Sequence, residues 1–285
     1  MVNQVNSKHF ELAKKITGKF KNLQMVEAIG LGGSLSTDST DRFSDIDLYI
    51  YTNETIPIET RHKIIKNLGY SRKEINLQFW DTGDQWFDAE TGIEVDVIYW
   101  DKPWIENMIE RVVVNHLASV GYSTSFWHTV LNTKILFDRD NWLGFLKEKC
   151  EMPFPENLKK AIIAKNHPIL RNVIPAYYFQ IKKAIDRNDL ISINHRVAAL
   201  LASYFDVLFA INHLTNPGEK KVLKLALENC SKIPNGFKNQ VVRILQSTGF
   251  ADETLLTKLD FLIDGLDNLL RNEGIDPDNT LSLNN

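Results

Sequence analysis

The segment EMPFPEN, residues 151–157, divides this 285-residue chain into two stretches with different hydrophobic periods. Before it, short apolar runs alternate at period two and are punctuated by glycine, the pattern of strands joined by turns. After it, apolar residues recur at the helical period of 3.6 and glycine becomes scarce within segments. Two prolines in seven residues suit neither a helix interior nor a central strand, so this is where a domain boundary is expected. At roughly 150 residues per domain the length also calls for about two domains. The expected layout is a catalytic or binding domain over 1–150, a helical domain over 151–274, and a flexible tail over 275–285, where IDPDNTLSLNN shows neither periodicity nor apolar mass.

Within the first domain, Phe10, Leu12, Ala13, Ile16 and Phe20 have helical spacing, with Ser7 placed to cap. The run MVEAIGLGGS then reads as a buried strand opening into a tight turn. In SDIDLYIY, alternation puts Asp45, Asp47, Tyr49 and Tyr51 on one face and Ile46, Leu48 and Ile50 on the other. A helix over Pro57–Leu68 stops at Gly69, INLQFWD is a strand, DTGDQWFDAETG is a turn, and IEVDVIYW is a further strand. There Glu94, Asp96 and Ile98 share one face, and Val95, Val97 and Tyr99 the other. A helix from Pro103 to about Val120, a helical turn near Trp127, the apolar stretch KILFDRD and the helix-like NWLGFLKEKC complete the domain. Past the prolines, helices are expected over Tyr177–Arg187, Leu190–Leu214, Glu219–Asn229, Phe237–Ser247 and Thr254–Asn272. The fold class is α+β (α/β): a mixed sheet flanked by helices, followed by an α-helical bundle.

Composition removes several functions. With 33 Lys plus Arg against 36 Asp plus Glu, a formal charge of −3 and no basic block, the chain lacks the clustered cations that phosphate-backbone binding needs. Cys150 and Cys230 stand 80 positions apart, outside any metal-ligand spacing, and read as packed, reduced thiols. The seven histidines are scattered without paired spacing, which argues against a histidine metal site. The N-terminus has no apolar core after its positive charges and no stretch is long enough to span a bilayer, so a cytoplasmic protein without a membrane span is expected.

Three features carry chemistry: Gly33-Ser34 after a strand, Asp45-x-Asp47 eleven residues later, and Asp96 between valines on another strand. Each alone has an ordinary structural reading. Together they place three carboxylates on one side of a sheet, where mutual repulsion is costly unless cations bridge them. Hard oxygen ligands suit Mg²⁺ or Mn²⁺, and two such ions can serve in-line displacement at phosphorus. Glycine beside them lets backbone N–H groups approach a polyphosphate.

GGSLSTDSTDRFSDIDLYIY followed by EVDVIYW resembles the nucleotidyltransferase superfamily typified by DNA polymerase beta. With a helical second domain it is similar to the small-molecule branch, which includes aminoglycoside and lincosamide nucleotidyltransferases. The resemblance covers residues 24 to 100, and the helical half in architecture only; it implies a nucleotidyltransferase catalytic domain over 1–150 and a substrate-binding helical domain over 151–274. It implies a nucleotidyltransferase-type sheet in which Gly33 and Ser34 hold the β- and γ-phosphates of ATP or another nucleoside triphosphate. Asp45 and Asp47 would ligate both metals, and Asp96 the catalytic metal near the acceptor hydroxyl. The expected reaction moves a nucleoside monophosphate, AMP from ATP, to a hydroxyl of a small molecule, including antibiotics, with pyrophosphate released. The loop between Ser34 and Asp45 departs from many members in lacking a second glycine, and its single basic residue, Arg42, is a candidate phosphate contact.

Glu94 shares a face with Asp96 and is a candidate base or outer ligand. In the helical domain Asp186, Asp189, Asp206 and Glu219 are further candidate bases, and Arg196 and Lys220 candidate phosphate contacts. The alternatives are nucleotidylation of protein or RNA, an antitoxin-like nucleotide-binding module, and glycosyl transfer through Asp-x-Asp, which leaves Gly33-Ser34 without a purpose. Oligomeric state and acceptor are not legible.

Overall fold

The computed structural model describes residues 2–36 and 45–284. The chain forms two compact units, residues 1–109 with 129–152 and residues 110–128 with 153–285. The division falls between Met152 and Pro153, inside EMPFPEN, and it also gives 110–128 to the helical unit, which the expected 1–150 domain does not.

The first unit runs α1 (Val2–Phe20), β1 (Val26–Leu31), α2 (Gly33–Ser36), β2 (Ile46–Thr52), α3 (Ile58–Leu68), β3 (Tyr70–Leu77), β4 (Gly83–Asp88) and β5 (Glu94–Asp101). It continues through α4 (Lys102–Val113), which leads into the second unit, α5 (Ser125–Asn132), which leads back, β6 (Lys134–Asp138) and α6 (Trp142–Cys150). The strands form one sheet in the order β3-β4-β5-β2-β1-β6, with β2 and β5 parallel and the other pairs antiparallel.

Strand alternation decides what the sheet buries. Ile46, Leu48 and Ile50 of β2 and Val95 and Val97 of β5 are fully buried with Ile29, Leu31, Trp86, Ile65 and the Leu12, Ala13, Ile16 and Phe20 stripe of α1. The opposite face of the same strands carries the acidic residues and an aromatic row: Tyr49 stacks on Trp100 at 4.4 Å, Trp100 meets Trp104 at 5.7 Å, and Tyr51 meets Trp142 edge-on at 5.4 Å.

Two expectations change here. The segment DTGDQWFDAETG is not a turn: Gly83–Asp88 is β4, hydrogen-bonded on both sides. Its polar composition hid a buried strand because Asp84 is neutralised in place. The Arg61 guanidinium donates to Asp84 at 2.9 Å, the Tyr99 hydroxyl at 2.7 Å and the Asn76 amide at 2.8 Å, with both Arg61 and Asp84 buried. The helix expected to reach Val120 stops at Val113, and His116, Gly121 and Tyr122 beyond it all have positive φ.

The second unit contains α7 (Glu156–Asn166), α8 (Pro168–Arg171), α9 (Tyr177–Asp186), α10 (Leu190–Ile211), α11 (Val222–Asn229), α12 (Phe237–Ser247) and α13 (Thr254–Asn272). The last five follow the periodicity closely, whereas α7 and α8, hemmed in by prolines, do not announce themselves. From Ser203 to Ile211 α10 is buried on every side, as befits the central helix of a bundle, and Asp206 sits in that stretch. Its carboxylate accepts from the Ser123 amide at 3.1 Å, Asn216 Nδ2 at 3.0 Å and Asn166 Nδ2 at 3.3 Å. Asn166 also holds Gly121 and Ser119, and these bonds are why 110–128 belongs with the helices.

The C-terminal segment does not follow the expectation of a flexible tail. Pro277–Asn284 forms 3-10 turns, Thr280 is buried against His167 Nδ1 at 3.1 Å, and Ile275 and Leu283 pack on the bundle core. Two apolar anchors spaced too widely for a helical pattern suffice because the bundle supplies the complementary surface. Among the described residues no helix is long and apolar enough to cross a membrane.

Candidate active site

Parallel pairing of β2 with β5 places Asp47 directly beside Asp96. Neighbouring strands lie about 4.8 Å apart, so the two half-buried side chains share a face at a spacing where one cation can serve both. Asp45 comes just before β2, half-buried. Glu94, at the start of β5, accepts from Gln85 Nε2 at 2.7 Å, and Gln85 of β4 itself pairs with Asp96 of β5.

The turn that follows β1 lies against this row. The Gly32 amide donates to the Asp47 carbonyl at 2.9 Å. A Cβ on Gly32 would come within 2.3 Å of the Tyr49 ring, and one on Gly33, whose φ is +59°, within 1.8 Å of Asp47 Oδ2. Both glycines are therefore required by contact with β2, and Gly33 by its left-handed backbone as well. Ser34 follows in the first turn of α2. Arg42 lies outside the described residues.

The Tyr49 hydroxyl reports the charge of the site. Burial raises its pKa well above the usual tyrosine range, and the carboxylates of Asp47, Asp96, Asp81 and Asp45 raise it further, in that order. The expected carboxylates thus act on one point of the sheet. Asp81, from the β3–β4 connection, joins them; taking that segment for a featureless turn concealed it. Among the described residues, however, no three His, Cys, Asp or Glu side chains converge as a ready-made metal cluster. What the fold supplies is a carboxylate pair with further acidic groups around it. Mg²⁺ usually takes one or two carboxylates and completes its shell with water and substrate phosphates.

Residues 14–103 match the family model described as Polymerase beta, Nucleotidyltransferase, a span that contains the glycine turn and all of these strands. They are a polymerase beta-type nucleotidyltransferase domain. Two solved structures resemble the chain loosely. A nucleotidyltransferase-like protein from Exiguobacterium sibiricum 255-15 is 15% identical, with 92% of this chain and 74% of that one covered at a TM-score of 0.43. The STING-associated CdnE c-di-GMP synthase from Capnocytophaga granulosa is also 15% identical, with 95% and 82% covered at a TM-score of 0.30. No curated protein matches the sequence. The assignment of the nucleotidyltransferase domain rests on the family match and agrees with its mixed sheet.

Of the carboxylates considered in the helical unit, Asp206 is locked in the hydrogen bonds described above, and Asp189 caps α10 by accepting from the Ser192 amide at 3.0 Å. Asp186 and Glu219 are exposed.

Proposed function

We propose that this chain is an enzyme that transfers a nucleoside monophosphate, AMP from ATP, to a hydroxyl group of a small molecule. The observation that carries the reading is the Asp47–Asp96 pair in parallel register, with the Gly32–Gly33 turn laid over Asp47. A carboxylate pair contiguous with a turn of minimal side-chain bulk is what a Mg²⁺-bound triphosphate needs on its two sides. Asp47 and Asp96, with Asp45 alongside, would hold Mg²⁺ or Mn²⁺; when bound, the ion offsets the charge of the triphosphate and favours the ionised acceptor hydroxyl.

In the reaction the acceptor oxygen forms a bond to the α-phosphorus, the bond from that phosphorus to the bridging oxygen breaks, and pyrophosphate leaves with the electron pair. The hydroxyl proton passes to a carboxylate, with Asp96 and Glu94 the candidates on this face. Gly33 and Ser34 are assigned to the β- and γ-phosphates. Acceptor recognition by the helical unit rests on the sequence resemblance, as does the inclusion of antibiotics among the acceptors.

The test is pyrophosphate release screened over the four nucleoside triphosphates and a hydroxyl panel that includes aminoglycosides and lincosamides. Turnover that disappears in Asp47→Ala and Asp96→Asn while thermal stability holds supports the reading. Absence of release with every acceptor, despite measured Mg-ATP binding, replaces it with a nucleotide-binding module.

A further inference from the structure

At the carboxyl ends of β2 and β5 the chain leaves the sheet in two directions. After β2 it passes into α3, whose Ile65 packs with Ile46, Leu48, Val95 and Val97 on one face, and after β5 into α4, whose Trp104 meets Trp100 on the other. Neighbouring parallel strands whose onward helices take opposite faces leave a crevice beyond their ends. Here it is a cavity of about 570 Å³ within the first unit, walled by the start of α3, the ends of β2 and β5, and the β3–β4 hairpin. That is the size of a small-molecule pocket.

The cavity lies away from the carboxylate pair. Thr52 and Asp101, which line it, are paired five residues beyond the Asp47–Asp96 pair, roughly 16 Å along the strands. Alternation also places Thr52, Tyr99 and Asp101 on the face of Leu48 and Val97, opposite to Asp47 and Asp96. A ligand held there sits apart from the proposed transfer, and the site stands independently of that reading.

Donors line its floor. Arg61 is buried, with its guanidinium over the Tyr99 ring at 4.8 Å. Its Nη1 donates to Asp84 at 2.9 Å and its Nη2 to Asn76 Oδ1 at 3.0 Å, whereas its Nε finds no acceptor among the described residues. An unmet N–H on a buried guanidinium is costly, and a ligand oxygen would answer it. Pro57 caps α3 without a side-chain acceptor, which leaves the Ile58 and Glu59 amides as first-turn donors on the same wall. Acceptors stand at the mouth, where Glu59 and Asp101 are exposed, and the hydroxyls of Thr52, Thr55 and Thr82 both donate and accept. The two carboxylates repel an anion, while the helix end and the guanidinium repel a cation.

We propose that this cavity binds a neutral polyhydroxylated ligand of the sugar class. Each hydroxyl of a polyol offers a donor and an acceptor without net charge. Some of its oxygens accept from Arg61 Nε and the Ile58 and Glu59 amides, while other hydroxyls donate to the Glu59 and Asp101 carboxylates. Inorganic phosphate meets repulsion at those carboxylates, and a polyamine has no acceptor for the donors on the floor.

The test uses the full chain with saturation-transfer NMR and calorimetry. The probes are glucose, galactose, mannose, N-acetylglucosamine, trehalose and myo-inositol, with inorganic phosphate and spermidine as charged competitors. At least one polyol is expected to bind, and neither charged probe to displace it. Losing a hydrogen bond to a charged group weakens binding by about 10- to 150-fold, so Asp101→Ala should lower the affinity by that factor. Asp101→Asn keeps the shape of the side chain and should show a smaller loss. Asp101 is exposed, so both variants are expected to fold. Asp47→Ala, on the opposite face, should bind the polyol as the unaltered chain does. The proposal is overturned if no polyol binds, if phosphate or spermidine displaces the one that does, if D101A and D101N both bind it as tightly as the unaltered chain, or if D47A loses it. None of these readouts involves a nucleotide, so the cavity and the nucleotidyltransferase reading fail separately.

Discussion

Replacing Gly33 with alanine separates the two constraints on the glycine turn. The first is backbone: φ at Gly33 is +59°, and an L-residue there costs about 1–2 kcal/mol. The second is contact, since the new Cβ would fall 1.8 Å from Asp47 Oδ2, 2.8 Å from its Cγ and 3.3 Å from its Cβ. The nearest clashing atoms are the far end of a side chain, so the fold can survive by swinging the Asp47 carboxylate aside. Stability should therefore fall by little more than the backbone term, a drop of about 2–8 °C in Tm at roughly 2–4 °C per kcal/mol. Activity should fall much further, by about 100-fold, the scale of a 1 Å misplacement of a reacting group. Gly92→Ala is the matched control, because its φ is +70° and nothing lies within 4 Å of an added Cβ. Differential scanning calorimetry and pyrophosphate release, with whichever acceptor supports the unaltered enzyme, measure both quantities. If G33A loses stability like G92A and keeps comparable turnover, the placement of Asp47 by the glycine turn is refuted, and with it the argument that turn and carboxylate form one site.

Other outcomes follow from groups remote from that turn. Arg61→Ala leaves the Asp84 carboxylate buried without its cation and should cost about 3–5 kcal/mol, read by urea denaturation; a loss below about 1 kcal/mol would show that the pair is not a buttress of the hairpin. Both cysteines are buried, with the thiol of Cys150 pushed up to about 12 and that of Cys230 to about 11 by burial. Neither should react with a thiol reagent at about pH 8 until the protein unfolds, and labelling at the denatured rate would contradict this. The His128 imidazole, half-buried beside Thr215 Oγ1 at 2.8 Å, has its pKa lowered by desolvation. The unfolded chain then binds the proton more readily, so the His128 contribution is complete above about pH 6.5 and is lost as pH falls towards the lower folded value. His128→Gln should flatten the acid limb of a stability-against-pH profile, and an unaltered limb counts against the assignment. Asp206 shifts in the opposite sense to the usual carboxylate: burial raises it despite the hydrogen bonds from Ser123 and Asn216. Its carboxyl should titrate above the ordinary aspartate range by ¹³C NMR, and a midpoint at or below that range would be inconsistent with its desolvation.

Local pattern was enough for much of this protein. Alternation in SDIDLYIY and EVDVIYW assigned each residue to a face, because strand side chains point to opposite sides whatever their partners are. Helical spacing located the last five helices of the bundle. That Asp47 stands beside Asp96, in contrast, depends on β2 and β5 pairing in parallel at one register across a long sequence separation, which no local pattern encodes. The same holds for β4. Asp84 reads as a loop residue until Arg61, 23 positions earlier, and Tyr99, 15 positions later, are brought to it. The segment 110–128 joins the helical unit because Asp206 and Asn166 capture its backbone, and the segment 277–284 is tied to the bundle through Thr280 on His167. Sequence determined which polar and apolar groups the chain carries and on which faces of its strands and helices they stand; the tertiary structure decided which groups become neighbours, because charge neutralisation, burial and strand register are properties of pairs distant in the chain.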